Sequence, residues 1–202
     1  MAHHLTAAGD TERAVDQWLK AGQFAAARVA HLEAIRHFDR GLAVLDSLPE
    51  MASRDRREVE LQLARGLSLL TAKGFGSTDA VQPYARARDL CEETDDSDQL
   101  FVALWNLWLT TAVRDIGAAR PLSNQLLTLS ETRARSALRL QAHHSAWFTS
   151  FIGGEPSAAL RHCDEGRHLY TIDRHRTLAS LYGGHDGCLA TPTRRWPASM
   201  ER

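Results

Sequence analysis

Four alanines open helix-like apolar segments at nearly constant intervals along this chain. Ala34, Ala80, Ala119 and Ala159 are separated by 46, 39 and 40 residues, and each follows a turn and another helix-like segment. A two-helix unit that recurs about every 40 residues is typical of an α-solenoid, in which small residues let paired helices approach closely. The spacing therefore predicts an all-α solenoid of about four helix pairs, and an irregular helical bundle is the alternative.

The helices themselves are predicted from apolar residues spaced three and four apart. Of the 202 residues, 57 are Ala or Leu and only 11 are Val or Ile, a composition that favours helices over strands. Asp10 is the expected N-cap of the first helix, Pro49 ends the first pair, and glycines divide the second and fourth pairs. The predicted helices span 11–26, 32–45, 58–72, 80–91, 100–113, 118–129, 137–152 and 157–170.

Charge and cysteine content argue against several classes of protein. The formal net charge of −1 provides no basic field that would attract nucleic acid or a membrane surface. Three widely spaced cysteines do not form a disulfide framework, and the N-terminus lacks the basic and apolar regions of a signal peptide. The longest apolar stretch, 100–113, has 14 residues and is too short to cross a bilayer. We expect a cytoplasmic protein.

The first helix pair carries part of a known repeat pattern. Trp18, Gly22, Ala34 and Phe38 occupy the Trp, Gly, Ala and Phe positions of the tetratricopeptide motif, whereas alanines stand where Leu and Tyr are usual. The later pairs keep mainly the signal of the second helix. This part of the chain therefore resembles a tetratricopeptide repeat, and the resemblance implies a stack of antiparallel helix pairs.

Longer strings resemble one bacterial protein family more closely. They are HHLTAAG at 3–9, AVDQWLKAG at 14–22, AKGF at 72–75, YARARDLC at 84–91, LWNLW at 104–108 and HRTLASLYGGHD at 175–186. Together they resemble the tetratricopeptide region of large signalling proteins that join an adenylate/guanylate cyclase domain, a P-loop ATPase module of the signal-transduction type and a helical array. The resemblance covers 3–186 and implies that the chain begins inside a longer protein.

The C-terminal end departs from this family. After Asp186 the family would continue into further repeats, whereas 187–202 holds two prolines and no apolar period. We interpret 187–202 as an irregular, frameshifted tail, with an ordinary disordered C-terminus as the alternative. An array that ends in mid-repeat leaves an apolar face uncovered near Leu178 and Tyr182, which predicts weak self-association through the uncapped end.

The sequence carries no motif for catalysis or cofactor binding. A P-loop needs Gly-Lys-Ser/Thr after a glycine-rich turn, and neither lysine lies in that context. Histidine is the enriched reactive residue, yet His162 and His168 lie about 240° apart on a helical wheel and do not suit one metal ion. Of the adjacent His143 and His144, one is expected to pack and the other to face solvent. We therefore predict no catalytic, cofactor-binding or metal-binding residues.

What remains is a surface for binding. The first helices of stacked pairs line a concave groove that suits an extended peptide or a partner helix. The residues expected to face it are Gln23, Leu67, Trp108, His144 and Phe148. We expect a noncatalytic protein-interaction module, the sensor or scaffold arm that the resemblance implies. The alternatives are the repeat arm of an ATPase-type transcriptional activator and a small helical metal-dependent enzyme.

Overall fold

The computed structural model describes residues 11–49, 52–132 and 136–170, and the regular structure of these residues is entirely helical. All eight predicted helices are present, so the prediction of an all-α chain is confirmed. A turn of 3₁₀-helix, Thr78–Ala80, precedes the fourth. The α-helices are α1 (Thr11–Ala27), α2 (His31–Leu45), α3 (Ala52–Lys73), α4 (Val81–Thr94), α5 (Ser97–Ala112), α6 (Ile116–Glu131), α7 (Ser136–Ile152) and α8 (Pro156–Leu169). None of these helices is long and apolar enough to cross a membrane.

The largest difference from the predicted boundaries is the start of α3, which begins at Ala52 and not at residue 58. The additional residues are mostly charged and have no apolar period. Ion pairs hold them instead: the Arg54 guanidinium lies 3.6 Å from the Glu58 carboxylate, and Arg57 Nε lies 3.0 Å from Asp16 Oδ1 on α1. Hydrophobic periodicity cannot reveal a helix start that is stabilised by side-chain charges.

The chain divides into two compact units, residues 1–110 and 111–202. The described part of the first contains α1 to α4 and most of α5, and that of the second contains α6 to α8. Three predictions lie outside the described residues: the Asp10 cap, the uncapped end near Leu178 and Tyr182, and the irregular tail 187–202.

In the first unit, α1 packs on α2, α2 on α3 and α3 on α4, and α1 also contacts α3. The anchor alanines Ala34 and Ala80 are completely buried. One apolar cluster joins the first three helices through Val15, Leu19, Ala25, Ala34, Phe38, Leu45 and Leu61. A second cluster joins α3, α4 and α5 through Val59, Ala87, Leu90, Cys91 and Ala103.

The paired helices of the first unit meet where a glycine faces an aromatic ring. A Cβ atom placed on Gly22 of α1 would overlap the ring of Phe38 on α2. A Cβ atom on Gly66 of α3 would lie 2.6 Å from Cζ of Tyr84 on α4, closer than real contacts allow. Phe38 and Tyr84 each stand four residues after the anchor alanine of their helix. One contact therefore recurs at the same register in the first two pairs.

In the second unit, α7 packs against both α6 and α8. Ser123 Oγ of α6 lies 3.1 Å from Ser145 Oγ of α7, and both serines are buried. Ala119 and Ala159, the remaining anchor alanines, are also buried. All four small residues that define the sequence period thus lie in helix interfaces or the core of their own unit.

The first and fourth pairs share a turn. Val29 after α1 has φ 63° and Gly154 after α7 has φ 79°. In each turn the amide of the following residue donates a hydrogen bond to the carbonyl five residues earlier in the chain. The N···O distance is 3.0 Å in the turn after α1 and 2.8 Å in the turn after α7. The two turns are offset by 125 residues. A left-handed conformation costs a β-branched residue such as Val29 about 1–2 kcal/mol, so the turn is retained despite strain.

The same offset of 125 residues relates two ring contacts. Trp18 of α1 stacks on His37 of α2, with the ring centroids 5.5 Å apart. His143 of α7 lies against His162 of α8, with the centroids 5.4 Å apart. The turn and the ring contact therefore occur in the same register in the first and fourth pairs, although the side chains differ.

The substitution Gly66→Ala tests the close contact between α3 and α4. We expect it to lower the free energy of unfolding by roughly 1–3 kcal/mol, because the new methyl group overlaps the ring of Tyr84. This loss exceeds the gain of about 1 kcal/mol in helix propensity. Gly76→Ala is the control, since a Cβ there meets nothing within 4 Å. Urea unfolding followed by circular dichroism checks both, and equal stability of the two variants would contradict the contact.

The buried hydroxyl of Tyr84 gives a second expectation. Its Oη atom has no hydrogen-bond partner among the described residues, and burial raises the pKa of the phenol. Tyr84→Phe should therefore raise the free energy of unfolding by about 1 kcal/mol. The reverse change, Phe38→Tyr, places a hydroxyl at the equivalent position and should destabilise by roughly 1–3 kcal/mol. Calorimetry of both variants checks this, and a destabilised Tyr84→Phe protein would refute it.

Candidate interaction surface

The residues predicted to line a groove differ in exposure. Gln23 on α1 and Leu67 on α3 are exposed, Leu67 by 48%. Phe148 on α7 is half-buried. Trp108 on α5 and His144 on α7 are only 2% and 6% exposed, so their side chains pack in the interior. The groove stays a prediction, and Gln23 and Leu67 are the members whose side chains are exposed.

Gln23 and Leu67 belong to one exposed stripe on the two contacting first helices of the first unit. A displacement of 44 residues relates them, as it relates Gly22 to Gly66. Upstream in the same stripe, Arg57 on α3 lies 3.0 Å from Asp16 on α1 and 3.0 Å from Glu60. One arginine thus pairs with two carboxylates, which leaves this part of the stripe with a formal charge of −1, and Leu67 is the exposed apolar residue.

A second apolar area lies around the turn between α1 and α2. Phe24, Val29 and Leu32 are all exposed, Leu32 by 63%. The guanidinium carbon of Arg28 lies 5.6 Å from the centre of the Phe24 ring, a cation–π distance. Sequence periodicity did not single out these residues, because Phe24 and Leu32 lie on the exposed sides of α1 and α2 and Val29 lies in the turn between them.

The aromatic residues of α5 are part of the interior. Trp105 and Trp108 are almost completely buried, and their ring centroids lie 4.9 Å apart at an interplanar angle of 44°. On α7, Trp147 and Phe148 are half-buried and meet edge to face. Two of these four aromatic residues therefore belong to the interior and two are partly accessible.

The buried carboxylate of the first unit, Glu58, is held in an ion pair. Glu58 on α3 accepts hydrogen bonds from Arg86 Nε at 2.7 Å and Arg86 Nη2 at 3.1 Å. The hydrogen bond to Glu58 raises the pKa of Arg86. Beside it, a cleft of about 320 Å³ between α2, α3 and α4 also contains Asp39, which is paired with Arg65 at 2.6 Å. These ion pairs connect α3 to α4 through Glu58 and Arg86 and α2 to α3 through Asp39 and Arg65.

The described cysteines are poor nucleophiles. Burial raises the pKa of Cys91 to about 12, and the nearby Asp96 and Glu92 act in the same direction. Burial also raises the pKa of Cys163. Because the thiolate is the reactive form, neither residue is activated at neutral pH.

Two histidines from different helices meet in the second unit. His143 Nδ1 on α7 lies 3.1 Å from His162 Nδ1 on α8, and both rings are half-buried. One Nδ1 must carry a proton and the other must accept it, so at least one ring is neutral. His168, one and a half turns further along α8, is exposed and bonds through Nδ1 to the Asp164 carbonyl at 2.7 Å. Sequence reasoning treated His143 and His162 separately and missed their pairing.

The surroundings of this pair disfavour its protonation. Burial lowers the pKa of both His143 and His162 below the ordinary value of 6.5. For His143 the next cause is the charge that His162 would carry. Arginines around the pair lower the histidine pKa values and acidic residues raise them. These charged neighbours are Arg139, Arg161, Glu131 and Glu165.

Comparison with protein-family models and with curated proteins found no match at a significant level. Within 11–49, 52–132 and 136–170, no group of three or more His, Cys, Asp or Glu side chains is arranged to hold a metal ion.

The histidine pair predicts a loss of stability in mild acid. The unfolded chain takes up protons as the pH falls below about 6.5, whereas the lowered pKa values keep the folded pair neutral. The unfolded state then binds more protons, and the free energy of unfolding falls as the pH decreases. His143→Gln should flatten this dependence, measured as urea midpoints between about pH 7.5 and about pH 5.5. His168→Gln should leave it unchanged, and equal flattening by both variants would argue against the pair.

Proposed function

We propose that this chain is a noncatalytic, tetratricopeptide-like helical array that binds a protein or peptide partner through its first helices. Such an array presents one face of each first helix as a continuous surface, which suits an extended peptide or a partner helix. The proposal takes α1/α2 and α3/α4 as repeats of the first unit and α7/α8 as a repeat of the second.

The observation that carries the proposal is the recurrence of the glycine–aromatic contact. Gly22 faces Phe38 and Gly66 faces Tyr84. Glycine is the least favourable ordinary residue in a helix interior after proline, so its presence at both positions needs a packing reason. A ring that sits directly on the partner helix backbone is that reason. Two unrelated helix pairs would have no cause to use this solution in the same register.

The first and fourth pairs add independent support. Both pairs have a left-handed turn residue, Val29 in the first and Gly154 in the fourth. Both also have a ring contact one turn after the anchor alanine. The turn and the ring contact are each displaced by 125 residues between the two pairs. The left-handed turn also follows α4 at Asp95, so the ring contact at this offset is the feature that supports a repeat. Repetition of local geometry with altered side chains is typical of repeat proteins.

The binding surface is best defined in the first unit. There α1 and α3 contact each other and expose Gln23 and Leu67 at equivalent positions. Arg57 pairs with both Asp16 and Glu60 beside them, so the surface combines an apolar and an amide side chain with a formal charge of only −1. Such a surface favours a partner that offers apolar side chains, since apolar anchors dominate interface energies.

The resemblance to cyclase–ATPase signalling proteins supplies the biological setting of the proposal. In such a protein the array would serve as a sensor or scaffold arm, and partner binding would bias the state of the ATPase module. The chemistry of the cyclase and the ATPase would then belong to other parts of the parent protein.

Selection from a random peptide library tests the binding function. The immobilised full chain should enrich peptides over a blank matrix, and a synthetic copy of an enriched peptide should bind in solution. Leu67→Glu should weaken that peptide by about tenfold or more, because it places a charge at the centre of the surface. Leu32→Glu is the matched control, since Leu32 is an exposed leucine on the second helix α2.

Two results would contradict the proposal. One is enrichment no higher than on the blank matrix. The other is an equal loss of affinity in Leu67→Glu and Leu32→Glu, since it would place binding outside the first-helix face.

A further inference from the structure

We propose that His143 and His162 form a two-histidine clamp for a divalent transition-metal ion, which would join α7 to α8. The clamp uses two imidazole nitrogens from different helices, and solvent completes the coordination of the ion. Borderline-soft dications such as Zn²⁺ fit imidazole ligands, whereas Mg²⁺ prefers oxygen.

The distance between the two nitrogens matches chelation of one ion. His143 Nδ1 and His162 Nδ1 are 3.1 Å apart, and with Zn–N bonds of about 2.0–2.1 Å this separation subtends an angle of about 100° at the metal. A tetrahedral zinc ion has ligand angles of about 109°, so the separation is nearly correct, and both rings rotate to turn their Nδ1 lone pairs from each other towards the ion. The contact therefore already brings both ligand atoms to the required separation.

Metal binding moves one proton within the histidine pair and releases none to solvent. In the neutral pair, one Nδ1–H group donates to the other Nδ1. When the ion binds, this proton moves to Nε2 of the same ring, and both Nδ1 lone pairs coordinate the metal. Each ring keeps one N–H proton and no net charge, and the only ligands lost are waters of the ion.

A nearby carboxylate provides the charge that favours a cation. Glu165 follows His162 by three residues on α8, is exposed, and interacts electrostatically with both histidines. Residues three apart lie on the same side of a helix, so rotation of this exposed side chain brings its carboxylate towards the ion. Its role is to attract the cation, and the two imidazoles hold it.

Titration of the full chain with ZnCl₂ tests the clamp, with isothermal calorimetry as the first readout. We expect the native chain to bind one more zinc ion than the His143→Gln/His162→Gln double variant, and MgCl₂ to give no such difference. Each single variant should bind zinc at least about tenfold more weakly. Loss of a group that only hydrogen-bonds to a metal ligand already has an effect of about this size, and each histidine is itself a ligand. His168→Gln is the control, because this exposed histidine of α8 bonds elsewhere, and it should retain the site.

Nitrogen-15 NMR of the native chain gives a readout that does not depend on the folding of a variant. Zinc should shift the Nδ1 signals of His143 and His162 together and leave the proton on Nε2 in both rings. The proposal is overturned if other histidines shift in their place. It is also overturned if the native chain and the double variant bind zinc equally, or if His168→Gln abolishes binding as His162→Gln does.

Discussion

The fold of the first unit depends on how closely two paired helices can approach. A glycine in the first helix receives the ring of the second, at Gly22 with Phe38 and at Gly66 with Tyr84. The missing Cβ lets the ring lie on the helix backbone, and the small anchors Ala34 and Ala80 of the same pairs are completely buried. The apolar clusters of this unit consist of leucines, valines and alanines together with Phe38 and Cys91.

The helix pairs tolerate unfavourable side chains at these places. Val29 holds a left-handed turn that Gly154 holds without strain, and Tyr84 buries a hydroxyl where Phe38 has none. Each of these features costs on the order of 1–2 kcal/mol, less than the stability of a folded domain. At the offset of 125 residues that relates Trp18 and His37 to the second unit, the ring contact is made by His143 and His162.

Much of the fold could be predicted from the sequence, because the apolar spacing and turn residues that indicate a helix pair lie within a short stretch of the chain. Apolar spacing and glycine turns located all eight described helices. The start of α3 was missed because Arg54 is held by Glu58 on the same helix and Arg57 by Asp16 on α1, and a pattern of apolar residues contains no information about charged partners.

The candidate site was harder to predict, for two physical reasons. The helix α5 is apolar on nearly every side, so periodicity could not decide that Trp108 faces the interior. The contact of His143 with His162 joins separate helices, which no single-helix pattern can reveal. Its signal was the equivalence of these positions to Trp18 and His37 in the first repeat.

The central claim is that α1/α2 and α3/α4 are equivalent repeats, and excision of one repeat tests it most directly. Deletion of residues 18–61 joins Gln17 to Gln62 and removes 44 residues, the separation of Gly22 and Gly66. The account predicts a hybrid first helix that still seats Gly66 against Tyr84, with cooperative urea unfolding and undiminished helicity per residue. Deletion of 18–59 leaves the helix two residues out of register and should fail to fold cooperatively. Loss of cooperative folding in the in-register deletion, or equal behaviour of the two, would contradict the repeat.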